Sequence, residues 1–270
     1  MTPQAELIAD AARRWRVPGE TLVLGLCGPQ ASGKSTAVAQ VAGALAAEGL
    51  RVAILSLDDL YLGRSARAEL AAAIHPLLIT RGPPGTHDVA LGQEVFAALR
   101  RGNAVRLPRF SKAHDEPLPE GEWPRLEGRC DVLLFEGWCV GARPVPDDLL
   151  SAPLNALEAE EDAQGVWRRW WNAHLAGTTG DLFGQIDRLI YLKPPSFDVV
   201  FQWRCQQEHE MIAKLGPENA PAAMSDAQIA RFIAHYERLT GWIIAEMPGR
   251  ADLTIMLDAG RKVIGQRTAR

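Results

Sequence analysis

The segment Gly28–Thr36 reads Gly-Pro-Gln-Ala-Ser-Gly-Lys-Ser-Thr and matches the phosphate-binding pattern Gly-x-x-x-x-Gly-Lys-[Ser/Thr]. It stands between an apolar run typical of a buried strand and a helical pattern that begins at Ser35. Glycines let backbone N–H groups turn toward a phosphate chain, and the helix N-terminus adds partial positive charge. We therefore predict a nucleoside triphosphate site, with Lys34 on the β- and γ-phosphates and the Ser35 hydroxyl on Mg²⁺. The candidate contacts are Gly28, Pro29, Gln30, Ala31, Ser32, Gly33, Lys34, Ser35 and Thr36.

Elsewhere, short apolar runs alternate with longer helical patterns, which is typical of a parallel α/β sheet. The runs lack strict polar alternation, as expected for strands covered on both faces. We predict an α/β P-loop NTPase fold, with a five-stranded, mostly parallel sheet and helices on both faces. The predicted strands are Thr21–Cys27, Arg51–Leu57, Asp131–Phe135, Asp187–Leu192 and Asp252–Leu257. The predicted helices are Ser35–Glu48, Val89–Arg101, Leu154–Leu175, Phe197–Lys214 and Asp226–Glu246, the last with a start signal at Ser225 and Gln228.

The chain has 270 residues, which fits one large domain or two small ones. Proline-rich stretches with little apolar periodicity interrupt the pattern, and long loops in a compact domain are usually functional or disordered. In parallel sheets, ligands bind beyond the carboxyl ends of the strands, where such loops gather. We predict a single domain over 1–270, with substrate-loop insertions at about 62–88 and 103–130 and a helical lid region at about 197–225.

Composition excludes several classes of protein. The net charge is −4, whereas a protein that binds nucleic acid through phosphates is usually basic. No run of eighteen apolar residues occurs, so we expect no membrane span. The segment Met1–Arg16 is helix-like and has its arginines after its apolar residues, unlike a signal peptide. The cysteines show no Cys-x-x-Cys spacing and are expected to be reduced thiols in a cytoplasmic protein; they are Cys27, Cys130, Cys139 and Cys205. The oligomeric state is left open.

Two acidic positions follow predicted strands. Asp58 and Asp59 come after the second strand, and Glu136 ends the third, so all three lie at the carboxyl edge of the sheet. A carboxylate there can accept a proton from an attacking hydroxyl and orient the water ligands of Mg²⁺. For the Asp pair, a helix cap or a turn is an equally good interpretation. No Asn-Lys-x-Asp base-reading motif follows, which argues against a GTPase switch. Together these elements favour a small-molecule kinase.

Several segments, in order, resemble the D-glycerate 3-kinase family, which is related to uridine kinase, pantothenate kinase and phosphoribulokinase. The resemblance implies a P-loop kinase fold, dependence on ATP and Mg²⁺, and a role for Asp58 as catalytic base. One departure is that the family pattern has an arginine soon after its Phe-x-Lys segment, whereas Ala113–Leu118 contains none. The matching segments are Gly25–Thr36, Ser56–Tyr61, Arg81–Asp88, Pro108–Lys112, Phe135–Trp138, Trp203–Gln206, Met224–Asp226 and Ala251–Leu253.

The long loops supply candidates for an acceptor site. A small hydroxy acid needs fixed cations for its carboxylate, and guanidinium groups bind carboxylates through two parallel hydrogen bonds. Each loop cation could equally be a solvated surface charge. Asp88 is as good a helix N-cap as a ligand contact, because a helix is predicted to begin at Val89. Arg204 is a candidate lid cation on the transferring phosphoryl group, or an ordinary arginine on a helix surface. The candidate acceptor contacts are Asp58, Tyr61, Arg81, His87, Asp88, Arg109, Lys112 and Glu136, and the candidate metal contacts are Ser35, Asp58 and Glu136.

Three hypotheses about function follow. The first is an ATP-dependent kinase that phosphorylates a hydroxyl of D-glycerate or a close hydroxy acid. The second is a kinase of the same fold whose acceptor is a nucleoside, a pantothenate-like compound or a sugar phosphate. The third is an ATPase switch that acts through a protein partner. The Asp58–Asp59 pair and the basic loops favour the first two, because a switch needs no acceptor base.

Overall fold

The computed structural model of the protein describes residues 1–215 and 224–269. The strands are β1 (Leu22–Cys27), β2 (Val52–Ser56), β3 (Val105–Arg106), β4 (Phe110–Ser111), β5 (Glu116–Pro117), β6 (Arg125–Leu126), β7 (Val132–Gly137), β8 (Arg188–Lys193), β9 (Leu253–Leu257) and β10 (Val263–Thr268). The helices are α1 (Pro3–Trp15), α2 (Lys34–Ala47), α3 (Arg64–Ala73), α4 (Val89–Arg101), α5 (Ala156–Glu161), α6 (Val166–Ala176), α7 (Thr178–Phe183), α8 (Phe197–Leu215) and α9 (Asp226–Glu246).

The main sheet has the strand order β10-β9-β8-β1-β7-β2, with β1 between β7 and β8. All neighbours are parallel except β9 and β10, which pair antiparallel. Alternate residues of β1 and β7 enter opposite cores: Val23 and Leu133 pack in one, and Leu24 and Leu134 in the other. Helices α1 and α2 cover the second core, and α4, α6 and α9 cover the first. Helices thus lie on both faces, as predicted.

Each of the five predicted strands is present, but the main sheet of the described residues has a sixth strand, β10. The predicted number of strands, five, was therefore wrong by one. β10 escaped prediction because it is a mostly exposed edge strand whose only large apolar residues are Val263 and Ile264. The predicted helix Leu154–Leu175 was also wrong in extent: it is two helices, α5 and α6, separated near Gly165. There the Asp162 carboxylate accepts hydrogen bonds from the backbone N–H groups of Trp167 (2.9 Å) and Arg168 (3.1 Å).

The predicted insertions contain more regular structure than long loops. Residues 62–88 include the helix α3, and residues 103–130 hold two short ladders, β3 with β6 and β4 with β5. α9 starts with the predicted reciprocal cap between Ser225 and Gln228. Of the predicted lid region, residues 216–223 lie outside the described residues.

The four cysteines are unpaired; Cys27, Cys130 and Cys139 are buried. Within residues 1–215 and 224–269, no helix is long and apolar enough to cross a membrane.

Candidate active site

The phosphate loop connects β1 to α2 at the carboxyl end of the central strand. Ala31 and Gly33 both have left-handed φ angles, 57° and 85°, and Gly33 is the N-cap of α2. The loop is tightly packed, because a Cβ at Gly28 would lie only 3.0 Å from Ser32 Oγ. The Ser32 hydroxyl is buried and has no hydrogen-bond partner among the described residues. Lys34 Nζ lies 3.4 Å from the carbonyl of Pro29.

Glu136 meets the phosphate loop from the neighbouring strand. Its position in β7 pairs with Leu26 of β1 on one side and Ser56 of β2 on the other. The Ser35 hydroxyl donates a hydrogen bond to Glu136 Oε1 at 2.8 Å, and Glu136 is buried. A hydroxyl oxygen and a carboxylate side by side at a helix N-terminus are hard oxygen ligands of the kind Mg²⁺ prefers, and Mg²⁺ commonly takes only one or two carboxylates plus substrate phosphates. These residues therefore fit a nucleotide-bound Mg²⁺.

Asp58 lies in a 3₁₀ turn, Leu57–Leu60, directly after β2. Its Oδ1 accepts a hydrogen bond from the Tyr61 hydroxyl (2.7 Å), and its Oδ2 contacts Lys112 Nζ (2.6 Å). Burial by itself would raise the pKa of Asp58, but the ion pair with Lys112, the Tyr61 hydrogen bond and the charge of Lys34 together lower that pKa below its usual value. Asp58 is therefore an ionised carboxylate at neutral pH, within electrostatic reach of the phosphate loop.

Asp59 organises the turn and has different partners from Asp58. Its carboxylate accepts hydrogen bonds from the backbone N–H groups of Ser56 and Phe110, each at 3.3 Å. Arg109 Nη1 lies 3.4 Å from Asp59 Oδ2. Burial raises the pKa of Asp59 despite the charge of Arg109. The helix-cap interpretation thus applies to Asp59, while Asp58 is left facing the site.

Aromatic rings pack around Tyr61, which hydrogen-bonds the Asp58 carboxylate. His87 stacks on Tyr61, with ring centroids 4.8 Å apart, and Phe110 meets Tyr61 edge-on at 5.4 Å. Burial and the charge of Asp58 raise the pKa of Tyr61 well above its usual value, so the phenol keeps its proton and donates it to the hydrogen bond. Both ring nitrogens of His87 are buried without a partner among the described residues.

Arg81 is held over this pocket by an ion-pair network. Its guanidinium pairs with Asp115 and lies 5.7 Å from the centroid of the Phe110 ring. Asp115 Oδ2 also pairs with Arg67 Nη2 at 2.6 Å, and the Arg67 side chain is buried in α3. The pKa of Asp115, which partial burial alone would raise, is lowered by both arginines. Arg67 and Asp115 were missed in the sequence, since no local pattern links a helix arginine to a loop aspartate far along the chain.

A tight turn, Gly82–Thr86, carries Arg81 and His87 on its two sides. Thr86 Oγ1 donates to the Pro83 carbonyl (2.7 Å) and accepts from the Gly82 N–H (3.0 Å). Trp138 Nε1 donates to the Gly82 carbonyl at 3.1 Å. Tyr236 of α9, also missed in the sequence, donates its hydroxyl to the Arg81 carbonyl at 3.0 Å. The turn is thereby fixed to the core, and the arginine and histidine with it.

Comparison with known proteins decides the family. An uncharacterized kinase of Schizosaccharomyces pombe is 31% identical over 227 residues, which cover 81% of this chain and 79% of the relative. The chain belongs to the same family of P-loop kinases as this relative. The chloroplastic D-glycerate 3-kinase of Arabidopsis thaliana is 29% identical over 261 residues, covering 90% of this chain but 54% of that protein.

A solved structure supports the fold of this kinase. The D-glycerate 3-kinase from Cryptococcus neoformans superposes with a TM-score of 0.81 at 26% identity, covering 99% of this chain and 100% of that one. The family model of the methylmalonyl Co-A mutase-associated GTPase MeaB matches only residues 5–61, the segment from α1 to the Asp58 turn. That match spans the phosphate loop and the turn with Asp58 and Tyr61, and it leaves out Glu136 and the later loops that carry the other site residues.

Asp88 and Arg204, both predicted as site residues, make contacts with other residues of the protein. Asp88 is exposed and is the N-cap of α4, accepting the Leu91 N–H at 3.0 Å. Arg204 pairs with Glu208 within α8 at 2.6 Å, and the buried Glu208 also accepts the Met224 N–H at 2.9 Å. Burial raises the pKa of Tyr236 most, the charge of Asp58 raises it further, and the charges of Arg81 and Arg204 lower it. Their roles toward substrate stay predictions.

Acid should destabilise the kinase through His87. Burial lowers the pKa of His87 to about 4, against the opposing charge of Asp58. An unfolded histidine titrates near about 6.5, so as pH falls from about 6.5 to about 4 only the unfolded chain gains this proton and stability is lost. His87→Phe keeps a ring on Tyr61 and removes the titration. Urea unfolding would be measured at about pH 7 and about pH 5. Between these pH values, the variant should lose about 2 kcal/mol less unfolding free energy than the wild type. Equal losses would exclude a buried neutral His87.

Gly82 should tolerate no side chain. Its φ is 128°, and a Cβ there would overlap the Tyr236 hydroxyl. Strained backbone and overpacking together are expected to cost Gly82→Ala roughly 2–4 kcal/mol of unfolding free energy. Gly43, in α2, has open space around it, so Gly43→Ala should be neutral or slightly stabilising. Thermal melts of both variants test this, and equal melting temperatures would contradict it.

Proposed function

We propose that the chain transfers the γ-phosphoryl group of ATP to a hydroxyl of D-glycerate, with Mg²⁺ as cofactor. The observation that carries the proposal is the ionised Asp58 beside the phosphate loop, with Lys112, Arg81 and Arg109 brought to its pocket by two distant loop segments. Fixed cations around a base suit a small anionic alcohol better than an uncharged one. Two relatives named D-glycerate 3-kinase support the same choice of acceptor.

The proposed mechanism is in-line phosphoryl transfer. The acceptor oxygen attacks the γ-phosphorus, the bond to the bridging β–γ oxygen breaks, and the hydroxyl proton moves to Asp58 while ADP leaves. Lys34 and Arg204 neutralise charge on the transferring group. When bound, Mg²⁺ would be held by Ser35 and Glu136, with Asp58 as a further candidate contact, and would supply further charge neutralisation. Because the transition state is loose, positioning and charge contribute more than base strength.

Binding of the acceptor falls to the pocket residues in this proposal. Arg81, Arg109 and Lys112 receive the carboxylate, and Tyr61 and His87 form the wall beside Asp58. Asp88, exposed at its helix cap, contributes at the rim.

An acceptor panel tests the proposal. ADP release would be followed with ATP and Mg²⁺ against D-glycerate, L-glycerate, uridine, pantothenate and ribulose 5-phosphate. We expect stimulation by D-glycerate that exceeds every other compound. Preference for another acceptor would show that the protein is a kinase for that compound and not for glycerate. Nucleotide binding without stimulation by any acceptor would favour the ATPase switch instead.

We also propose that residues 1–270 act as a single domain and that the protein is cytoplasmic. Both cores pack on one sheet, which supports cooperative folding, and four free cysteines suit a reducing compartment. A single unfolding transition by circular dichroism and intrinsic fluorescence tests the first statement. Imaging of a tagged protein in its own cell tests the second.

A further inference from the structure

The turn between β9 and β10 reaches across to the phosphate loop through Arg261. Its Nε donates to the Ala31 carbonyl at 2.8 Å. Its Nη1 donates to Gln206 Oε1 (3.0 Å) and its Nη2 to the Trp203 carbonyl (3.3 Å), both in α8. One side chain thus connects the phosphate loop with the helix that carries Arg204, and no sequence motif pointed to it.

The turn holds Arg261 in a fixed place. Asp258 Oδ1 accepts the backbone N–H groups of Gly260 and Lys262, each at 2.8 Å. Trp203 Nε1 donates to the Ala259 carbonyl at 2.7 Å, and the Arg261 guanidinium lies 5.3 Å from the centroid of the Trp203 ring. Arg261 itself has a left-handed φ of 64°, a conformation that a non-glycine residue keeps only where its surroundings impose it. The arginine is preorganised rather than free to swing.

The contact acts on a sensitive peptide plane. Ala31 also has a left-handed φ, 57°, so the loop needs a contact that holds this residue in place. The plane that carries the Ala31 carbonyl also carries the Ser32 N–H, which donates to the Pro29 carbonyl at 3.3 Å. Lys34 Nζ lies against that same carbonyl at 3.4 Å. The Arg261 contact therefore acts on the same short turn whose Pro29 carbonyl contacts the phosphate-loop lysine.

We infer that Arg261 is a positioning residue for the nucleotide: it holds the phosphate loop in its phosphate-accepting shape and couples that loop to α8. This inference rests on the proposed use of ATP, but it does not depend on which acceptor is phosphorylated. Without the guanidinium, the Ala31 peptide can rotate, and the loop must be reordered each time a nucleotide binds. Nucleotide affinity, rather than acceptor affinity, is the quantity that changes.

The test compares Arg261→Met, Arg261→Lys and the wild type by titration calorimetry with ATP and Mg²⁺. We expect Arg261→Met to raise the Kd about tenfold or more, the loss expected for a hydrogen bond from a charged donor. Arg261→Lys should be intermediate, because one ammonium cannot reach all three acceptors. Arg267→Met, an exposed arginine in the same hairpin, is the matched control and should bind ATP like the wild type.

Melting temperatures and the KM for D-glycerate separate positioning from simple stabilisation. Positioning predicts a raised Kd well below the melting temperature, with the glycerate KM within about twofold of the wild type. An unchanged Kd in Arg261→Met, or an equal rise in Kd and glycerate KM, would overturn the inference. Should glycerate prove not to be the acceptor, the Kd comparison still decides the role of Arg261. Failure of the wild type to bind ATP would overturn both proposals.

Discussion

Asp58→Asn is expected to lower kcat by about 10²–10⁴-fold, the range found for general-base residues, while the Kd for ATP and Mg²⁺ stays nearly unchanged. The asparagine keeps the shape of the side chain and the contact with Tyr61, but it cannot accept the acceptor proton. It also removes the negative charge that pairs with Lys112. Stopped-flow or steady-state ADP release with D-glycerate measures kcat, and calorimetry measures the Kd.

Asp59→Asn is the matched control for this prediction. Asp59 is the adjacent carboxylate, but it binds backbone N–H groups and Arg109 instead of facing Lys112. We expect a modest loss of activity and a lower melting temperature in this variant. Equal losses of kcat in the two variants would remove Asp58 from the role of base. Because the pKa of Asp58 is lowered, the acid limb of the wild-type pH–rate profile should lie below the usual carboxyl range.

Lys34→Met is expected to lower kcat/KM by about 10²–10³-fold, the loss typical of removing one preorganised group that stabilises transition-state charge. Lys34 Nζ contacts the Pro29 carbonyl and forms no ion pair with a described residue, so its charge is available to a phosphate. Methionine preserves the length and apolar packing of the side chain without the charge. Initial rates over a matrix of ATP and acceptor concentrations provide the measurement.

Lys262→Met controls for the loss of one positive charge. Lys262 is exposed in the β9–β10 turn. The kcat/KM of the Lys262→Met variant should therefore stay within about twofold of the wild type. A Lys34→Met protein that kept most of its kcat/KM would contradict the role of Lys34 at the transferring phosphoryl group.

The central strands could be predicted closely because burial on both faces demands continuous apolar runs. Thr21–Cys27 was predicted and β1 is Leu22–Cys27; Asp187–Leu192 was predicted and β8 is Arg188–Lys193. β10 could not be found this way, since an edge strand with an exposed face needs no such run. The break near Gly165 depends on Asp162 capping α6 with its side chain, which helical periodicity does not register.

In the candidate site, residues close in sequence were easier to find than partnerships across the fold. The phosphate loop and the acids at strand ends follow from local motifs. The contact between Asp58 and Lys112 was not apparent, although both were named, because it depends on how an insertion folds back over the sheet. Arg67 and Asp115 were missed for the same reason. Their pairing supplies an arginine beside the segment in which the family pattern would place one.

The edge position of β10 has a consequence for how the protein behaves at high concentration. Its partner β9 is almost wholly buried, with Leu253, Ile255 and Leu257 at 3% exposure or less. If β10 detached, the backbone N–H and C=O groups along the edge of the apolar strand β9 would be exposed. These groups could then pair with a strand of another molecule. β10 itself is a poor template, because its register shifts between Val263 and Gly265 and it carries the charge of Arg267. By covering the edge of β9, the hairpin that carries Arg261 thus also reduces the tendency of the protein to aggregate.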